Sequence, residues 1–143
     1  MKVRDILHTK GATVITTTPD ATLHDALRTL VDSRVVTLVV IDPAGKVVGI
    51  ITERDLLRVC AELNGEIDRL RVADWMTTHL IIGVPRDEVG YIMGIMTHNR
   101  IRHSPIMDDG RLEGIISIGD VVKAQLEETE FENRYLKDYI QRQ

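Results

Sequence analysis

The sequence of 143 residues has one cysteine, few aromatic side chains and no long hydrophobic run. The single Cys60 excludes an internal disulfide framework and fits a reducing compartment. The longest uninterrupted apolar run, Leu38–Ile41, is far shorter than the ~18 residues that would cross a bilayer. The first residues, Met1–Asp5, lack the apolar stretch of a signal peptide. We therefore expect a cytoplasmic protein with no membrane partner.

The composition also disfavours nucleic acid and metal as partners. Aromatic residues make up 3% of the chain, and none lies in a strand-like segment that could stack bases. The 18 basic and 22 acidic residues give a net charge of −4, which disfavours non-specific binding to nucleic acid. His98 and His103 lie five residues apart with no third ligand at helical spacing, so no metal site is expected. The remaining composition, 43% hydrophobic and 28% charged, is typical of a globular chain.

The chain contains an internal repeat of about 60 residues, and the two copies cover nearly all of it. The matching pairs are Arg34 and Arg100, Asp42 and Asp108, Gly49–Ile51 and Gly114–Ile116, and Asp55 and Asp120. The predicted organisation is a first repeat at 1–64, a linker at 65–71, a second repeat at 72–126 and a C-terminal helical extension at 127–143.

Each copy is predicted to fold as β-α-β-β-α. Short strands are expected at Val14–Thr17 and Leu80–Ile82, and the following helices are expected to be capped by Thr22 with Asp25 and by Asp87. Hairpin turns are expected at Asp42–Gly45 and Asp108–Gly110, and closing helices are expected to begin at Asp55 and Asp120. This pattern predicts an α+β fold in which the two repeats pack as an intramolecular pair with an extended C-terminal helix.

Both copies place a hydroxyl and an aspartate at the junction between the last strand and the closing helix. The segments are Thr52–Asp55 and Ser117–Asp120. One interpretation is helix capping, because an aspartate at a helix N-terminus accepts hydrogen bonds from free N–H groups. The other is a clamp in which the carboxylate binds a ribose diol while the open helix N-terminus holds phosphate oxygens. Since a carboxylate has two oxygens, the two interpretations are compatible.

The second copy carries a basic segment, Arg102–Pro105, at the start of its middle strand. Pro105 cannot donate to a sheet ladder, so we expect an edge or a bulge there, with backbone groups free to contact a purine edge. Arg102 and His103 suit phosphates; the alternative is a solvated arginine and a packed histidine. We expect the second junction to bind a ligand more readily, because the basic groups cluster in this copy.

No motif for catalysis is present. The sequence contains no P-loop, no His-Glu-x-x-His and no Gly-x-Ser-x-Gly. Cys60 falls with Leu56, Leu57 and Leu63 on an apolar side, so it is expected in the core and not as a nucleophile. The sequence therefore predicts a protein that is not an enzyme.

The C-terminus carries an apolar stripe at helical spacing. The stripe consists of Phe131, Tyr135, Leu136, Tyr139 and Ile140. An exposed stripe of this kind marks a subunit or partner contact, and the alternative is a helix packed back on its own domain.

The doubled pattern resembles a tandem cystathionine-β-synthase (CBS) domain pair of the stand-alone bacterial type. The likeness is carried by Gly49–Asp55, Arg102–Ile106 and Gly114–Lys123, and runs from about Val3 to Leu126. The resemblance implies a regulatory module that binds an adenine nucleotide or a related ligand between the two repeats and forms a homodimer.

The resemblance also implies roles for individual residues. The ribose ligands would be Asp55 and Asp120, with Thr52 and Ser117 beside them; the phosphate-facing residues would be Arg54, Arg102 and His103; the adenine slot would be lined by Thr16, Ile82, Thr37 and the backbone around Pro105. Two departures from the family pattern indicate that the two sites differ. Ser104 replaces a leucine, and Ile82 with Gly83 lacks the hydroxyl that Thr16 supplies.

The expected function is therefore that of a non-catalytic sensor without a cofactor. Its ligand would be AMP, ADP, ATP or an NAD-type molecule, and its occupancy would be transmitted through the homodimer to a regulated protein that the sequence does not identify. The alternative is a ligand-independent scaffold for protein interactions, in which Asp55 and Asp120 serve only as caps.

Overall fold

The computed structural model describes residues 1–64 and 66–141. In chain order the elements are α1 (Val3–Lys10), β1 (Thr16–Thr17), α2 (Leu23–Ser33), β2 (Thr37–Ile41), β3 (Val47–Thr52), α3 (Glu53–Leu63), α4 (Val72–Trp75), α5 (Val89–His98), β4 (His103–Asp108), β5 (Arg111–Ser117) and α6 (Ile118–Gln141). The predicted mixed fold of two small sheets with helices and a long C-terminal helix is confirmed. None of the helices in the described ranges is both long enough and apolar enough to span a bilayer.

The chain divides into two compact units, and one of them combines segments that are far apart in sequence. Unit 1 contains Met1–Ala12 and the chain from Ile81 onwards, whereas unit 2 contains Thr13–Leu80. Helix α1 therefore belongs with the second half of the chain, and α4 belongs with the first half. The compact units differ in this way from the repeats counted along the sequence, 1–64 and 72–126.

Unit 2 is a three-stranded sheet covered by helices. Strand β2 lies in the middle, parallel to β1 and antiparallel to β3, and Thr37–Val40 of this strand are buried. Helix α2 begins as the sequence predicts, since the Thr22 hydroxyl accepts from the N–H of Asp25 at 3.1 Å. The core of the unit consists of Leu23, Ala26, Leu30, Leu38, Val40, Ile51, Leu56, Val59, Ile67 and Val72.

Unit 1 contains the hairpin of β4 and β5 and lacks the strand predicted at Leu80–Ile82. Instead of a strand, Gly83 makes a single parallel bridge to Ile106. A Cβ on Gly83 would lie 2.8 Å from Cδ1 of Ile106, so the backbone approaches β4 closely at the glycine. The core of this unit consists of Val3, Ile6, Leu7, Val89, Ile92, Met96, Ile106, Ile116, Val121 and Ala124.

The cap predicted at Asp87 is wrong. Glu88 is the N-cap of α5 and its side chain makes no capping hydrogen bond, while the Asp87 carboxylate accepts from the N–H of Val84 at 2.9 Å. The first N–H of the helix, that of Val89, donates instead to the carbonyl of Met1 at 3.0 Å. A carbonyl far away in the sequence thus supplies the hydrogen-bond acceptor that the sequence pattern assigned to the side chain of Asp87.

The same set of backbone hydrogen bonds occurs in both units. In each pair below the N–H of the first residue donates to the carbonyl of the second, at 2.8–3.0 Å. In unit 2 the pairs are Leu23 and Leu70, Val72 and Ala21, and Ala73 and Pro19. In unit 1 the corresponding pairs are Val89 and Met1, Val3 and Asp87, and Arg4 and Pro85. Each unit therefore needs the segment that leads into α4 or α1 to complete the N-terminus of its first long helix.

Two predictions about the closing helices have opposite outcomes. Cys60 is exposed, so its predicted place in the core is wrong; the buried face of α3 is formed by Asp55, Leu56 and Val59.

The C-terminal extension is helical as predicted, because α6 continues unbroken from Ile118 to Gln141. All side chains from residue 129 to residue 141 are exposed, so the extension is not packed back on its own unit. Arg142 and Gln143 lie outside the described residues.

The segment that follows α4 packs against β3 at Gly49. We therefore expect an added side chain at Gly49 to lower the stability of the fold. A Cβ there would lie 2.7 Å from Sδ of Met76 and 2.9 Å from the carbonyl oxygen of Thr77. That carbonyl is held by the N–H of Ile50 at 3.0 Å, so it cannot move away without losing the hydrogen bond. We expect Gly49→Ala to lower the free energy of unfolding by about 1–3 kcal/mol in urea denaturation.

The matched control is Gly94→Ala in α5, where an added Cβ meets no heavy atom within 4 Å. We expect that variant to gain about 0.5–1 kcal/mol, since alanine is the better helix former. Equal effects of the two substitutions would contradict the packing described for Gly49.

Candidate functional site

In unit 2 the β-ladder brings three of the predicted site residues together. Thr37 at the start of β2 is the register partner of Thr52 at the end of β3. Thr52 is also the N-cap of α3: its hydroxyl accepts from the N–H of Asp55 at 3.2 Å, and its own N–H donates to Oδ2 of Asp55 at 3.0 Å. Asp55 is thus the third residue of the helix and not its first, and the two residues form a reciprocal capping box.

The Asp55 carboxylate has hydrogen-bond partners on both oxygens. Oδ2 accepts from the backbone and hydroxyl of Thr52, while Oδ1 accepts from Nη2 of Arg58 at 3.2 Å and from the hydroxyl of Thr77 at 3.5 Å. The side chain is only 7% exposed. The capping interpretation thus accounts for the contacts of Oδ2, and the contacts of Oδ1 also stabilise the local structure.

The Thr37 hydroxyl is different, because it has no hydrogen-bond partner among the described residues. Thr37 is 8% exposed, and an unsatisfied polar atom at such a position costs about 1–3 kcal/mol. Helix capping, sheet pairing and core packing do not require a hydroxyl at this position, since valine has the same shape. The orphaned oxygen is therefore the one feature of this site that the folded chain alone does not explain.

Unit 1 repeats the junction with different side chains. His103 at the start of β4 is the register partner of Ser117 at the end of β5. The Ser117 hydroxyl accepts from the N–H of Asp120 at 3.0 Å, and its N–H donates to Oδ2 of Asp120 at 2.8 Å. The carbonyl of Arg102 accepts from the N–H of Ile118 at 2.8 Å and so ties the start of β4 to the start of α6.

Asp120 has a cationic partner that the sequence did not predict. Nζ of Lys10, the last residue of α1, donates to Oδ2 of Asp120 at 2.7 Å and to the carbonyl of Ile115 at 2.9 Å. Burial raises the pKa of Asp120, but the hydrogen bonds from Lys10 and Ser117 and the charge of Lys10 outweigh it and hold the pKa below its usual range. The carboxylate is therefore ionised at neutral pH, and its side chain is 27% exposed.

The backbone around Pro105 is not free to contact a purine, so that expectation is wrong. The carbonyl of Pro105 accepts from the N–H of Gly83 at 3.0 Å, and Pro105 is buried in β4. The bulge expected nearby is present, as a shift of register between Ile106 and Met107. Ser104, the departure from the family pattern, is buried and donates to the carbonyl of Ile81 at 2.7 Å.

The remaining predicted site residues lie on the surface of their units. Thr16 in β1, Arg54 in α3, Ile82 in the loop before the Gly83 bridge and Arg102 before β4 all have exposed side chains. The structure thus brings together Thr37, Thr52 and Asp55 in one unit and His103, Ser117 and Asp120 in the other.

Sequence reasoning missed Lys10, Arg58 and Thr77, and only Arg58 follows from local spacing, three residues after Asp55. Within the described ranges, no three His, Cys, Asp or Glu side chains are grouped as metal ligands.

Comparison with known proteins identifies the class to which this fold and these junctions belong. The model of the CBS domain matches residues 3–62 and 72–127, so the chain belongs to the CBS domain family. CBS domain pairs are regulatory modules that often bind adenosine-containing ligands. The chain is 37% identical to the mitochondrial CBS domain-containing protein CBSX3 of Arabidopsis thaliana over 147 aligned positions, covering 97% of this chain and 71% of the relative.

Two solved structures are similar across most of the chain. A CBS-domain-containing protein from Agrobacterium tumefaciens is 40% identical with a TM-score of 0.81, covering 87% of this chain and 92% of that one. The CBS domain pair of protein MJ0100 is 26% identical with a TM-score of 0.76, covering 90% and 98%, and was solved in complex with 5′-methylthioadenosine and S-adenosyl-L-methionine.

The substitution of threonine by valine can be tested at two register partners: Thr37, whose buried hydroxyl has no partner among the described residues, and Thr52, whose hydroxyl caps α3. We expect Thr37→Val to leave stability unchanged or to raise it by up to about 1–3 kcal/mol, because it removes an unsatisfied buried hydroxyl. We expect Thr52→Val to lower stability by about 0.5–2 kcal/mol, because it removes the cap of α3. Urea denaturation of both variants measures the difference. A loss for Thr37→Val as large as that for Thr52→Val would mean that the Thr37 hydroxyl has a partner.

Proposed function

We propose that the protein is a non-catalytic sensor that binds an adenine nucleotide, namely AMP, ADP, ATP or an NAD-type molecule, and transmits occupancy through a homodimer. Membership of the CBS family supports a regulatory role. The MJ0100 pair, bound to 5′-methylthioadenosine and S-adenosyl-L-methionine, supports an adenosine-containing ligand. No cofactor is part of this proposal.

The orphaned hydroxyl of Thr37 is the observation that carries the proposal. The carboxylates are accounted for by capping, so they do not distinguish a sensor from a scaffold. A buried hydroxyl without a partner costs stability, and it becomes useful when a ligand supplies the missing hydrogen bond. An adenine ring offers both donors and acceptors, and a threonine hydroxyl can act as either. Because the oxygen is closed to solvent in this structure, binding must open it.

The roles proposed for the other residues follow their position and exposure. Asp120 is the better ribose ligand, since its side chain is 27% exposed whereas that of Asp55 is 7% exposed. The N-termini of α3 and α6 carry the positive ends of their helix dipoles, which favour phosphate oxygens nearby. The proposed set is Asp55, Asp120, Thr52 and Ser117 at the ribose; Arg54, Arg102 and His103 at the phosphates; and Thr16, Thr37 and Ile82 at the adenine.

A homodimer is proposed from the C-terminal stripe of α6. Phe131, Tyr135, Leu136, Tyr139 and Ile140 are each 54–72% exposed. Burying a side chain of this kind contributes about 1.5–3 kcal/mol, so a few from each chain can hold a two-fold interface. The second candidate function, a ligand-independent scaffold, is favoured by the same stripe if it docks another protein.

Isothermal titration with AMP, ADP, ATP and NADH tests the ligand. We expect binding of at least one of them, and we expect Asp120→Ala to weaken it by about tenfold or more through the loss of charge-assisted hydrogen bonds. Asp55→Ala is the matched variant, expected to lower the unfolding free energy more than it lowers affinity, because Asp55 is buried and fully bonded. No heat with any of the four would refute the nucleotide, and weakened binding by Asp55→Ala alone would reverse the site assignment.

Truncation after Glu128, followed by light scattering, tests the dimer. Because side chains 129–141 are exposed, the cut uncovers no core, and we expect a folded monomer from a dimeric parent. The full-length double variant Phe131→Ser/Ile140→Ser should dissociate as well, while Glu132→Ser/Lys137→Ser should remain dimeric. A truncated chain that stays dimeric would place the interface on the repeat helices, such as α5, where Gly90 and Gly94 are small residues four apart. A monomeric full-length chain would refute the dimer itself.

A further inference from the structure

The ion pair between Lys10 and Asp120 joins the end of α1 to the start of α6 within unit 1. Nζ of Lys10 lies 2.7 Å from Oδ2 of Asp120, and it also donates to the carbonyl of Ile115. The contact spans 110 residues of sequence, and its two side chains are 35% and 27% exposed. An ammonium on a flexible stem at such exposure can change partner at little cost.

From this geometry we propose that Lys10 determines ligand specificity at the unit 1 site: it pairs with Asp120 when the site holds no ligand, and it moves to the phosphate when a phosphorylated adenine nucleotide binds. The inference rests on the proposed function, because it assigns the ribose to Asp120. It adds the ligand class, a nucleotide that carries a phosphate in preference to a nucleoside that does not.

The ribose diol and the Lys10 ammonium compete because both donate hydrogen bonds to the carboxylate of Asp120. A ribose diol donates one hydrogen bond to each oxygen of a carboxylate, and one of these oxygens, Oδ2 of Asp120, already accepts from Lys10 and from Ser117 in the absence of ligand. An unphosphorylated nucleoside would displace the ammonium and offer it no anion in return. A nucleotide offers its phosphate, so the ion pair is exchanged and not lost.

The surroundings of the pair provide space and charge for this exchange. A cavity of about 140 Å³ lies beside it, and its wall includes Lys10, Asp120 and a second cation, Lys123. Asp5, Asp120 and Glu127 line the cavity opposite Lys123 and the N-terminal ammonium of Met1, so without Lys10 its acidic groups outnumber its cations and would repel a phosphate. The two lysines are therefore needed to make an anion favourable there.

The junction in unit 2 has no equivalent of this arrangement. The cationic partner of Asp55 is Arg58, which lies three residues further along the same helix, and the segment after α4 contributes the hydroxyl of Thr77 in place of an ammonium. Selection for phosphate by exchange of an ion pair between elements is thus specific to unit 1.

The test is isothermal titration of the full chain with adenosine and with AMP. Lys10→Met removes the charge and keeps the length of the stem, and Lys46→Met, in the hairpin turn of unit 2, is the control for loss of one exposed lysine. We expect Lys10→Met to bind adenosine more tightly and AMP more weakly, so that the preference for AMP falls by about tenfold or more. Lys10→Arg should restore most of the preference, and Lys46→Met should retain all of it.

The outcomes separate this inference from the proposed function. A parent chain that binds AMP, with the same preference in Lys10→Met, overturns the role of Lys10 and leaves the proposed function standing. Equal weakening of both ligands, with a lowered melting temperature, would assign Lys10 a purely structural role and also overturn it. If neither the parent nor the variant binds either ligand, both the proposed function and this inference fail.

Discussion

The hydrogen bonds that complete the N-termini of α2 and α5 govern the rest of this structure. A helix leaves its first N–H groups without internal partners, and here a distant backbone segment supplies an acceptor to each helix, in addition to the Thr22 cap in α2 and without a side-chain cap in α5. The short helices α1 and α4 follow directly from these segments, and each carries a residue to a junction aspartate: Lys10 reaches Asp120, and Thr77 reaches Asp55. A piece ending at residue 64 would lack the segment that unit 2 needs, including the buried Val72. The repeat is thus a unit of sequence but not a unit of folding.

Much of the fold was predictable, because the two copies share hydrophobic spacing and turn residues. The hairpins, the cap of α2 at Thr22 and the long C-terminal helix all follow from local patterns. The errors arose where a tertiary contact replaced a local one. Asp87 looked like a cap, but the backbone of Met1 does that work. The apolar run at Leu80–Ile82 looked like a strand, but only Gly83 comes close enough to pair with β4. Cys60 was grouped with Leu56, Leu57 and Leu63, but of these three only Leu56 is buried, so Cys60 lies beside the buried face of α3 and not on it.

The candidate site shows the same limit. Repeat symmetry placed Asp55 and Asp120 at equivalent positions, and the structure agrees, with both in capping boxes. Symmetry could not show that one carboxylate is closed and the other accessible, since this depends on what α1 and α4 bring to each junction. Lys10 is invisible to any local motif, because it meets Asp120 across 110 residues. The unsatisfied hydroxyl of Thr37 is likewise a fact of three-dimensional burial, and its sequence context of β-branched and apolar residues suggests only a strand.

The two junctions therefore share one motif, but their aspartates differ in hydrogen-bond partners and in exposure. Asp55 is bonded on both oxygens and contributes to the stability of unit 2, whereas Asp120 is paired with Lys10, the cation that the proposed ligand would displace. Asp120 also lies in the first turn of α6, and the stripe begins at Phe131 on the same unbroken helix of 24 residues, which is about 36 Å long. In a helix each turn is joined to the next by backbone hydrogen bonds from residue i to residue i−4, so a displacement at one end is passed along the axis. In the proposed function, a change of partner at Asp120 acts on the same helix that carries the stripe, so this helix alone would connect the proposed ligand site with the proposed subunit contact.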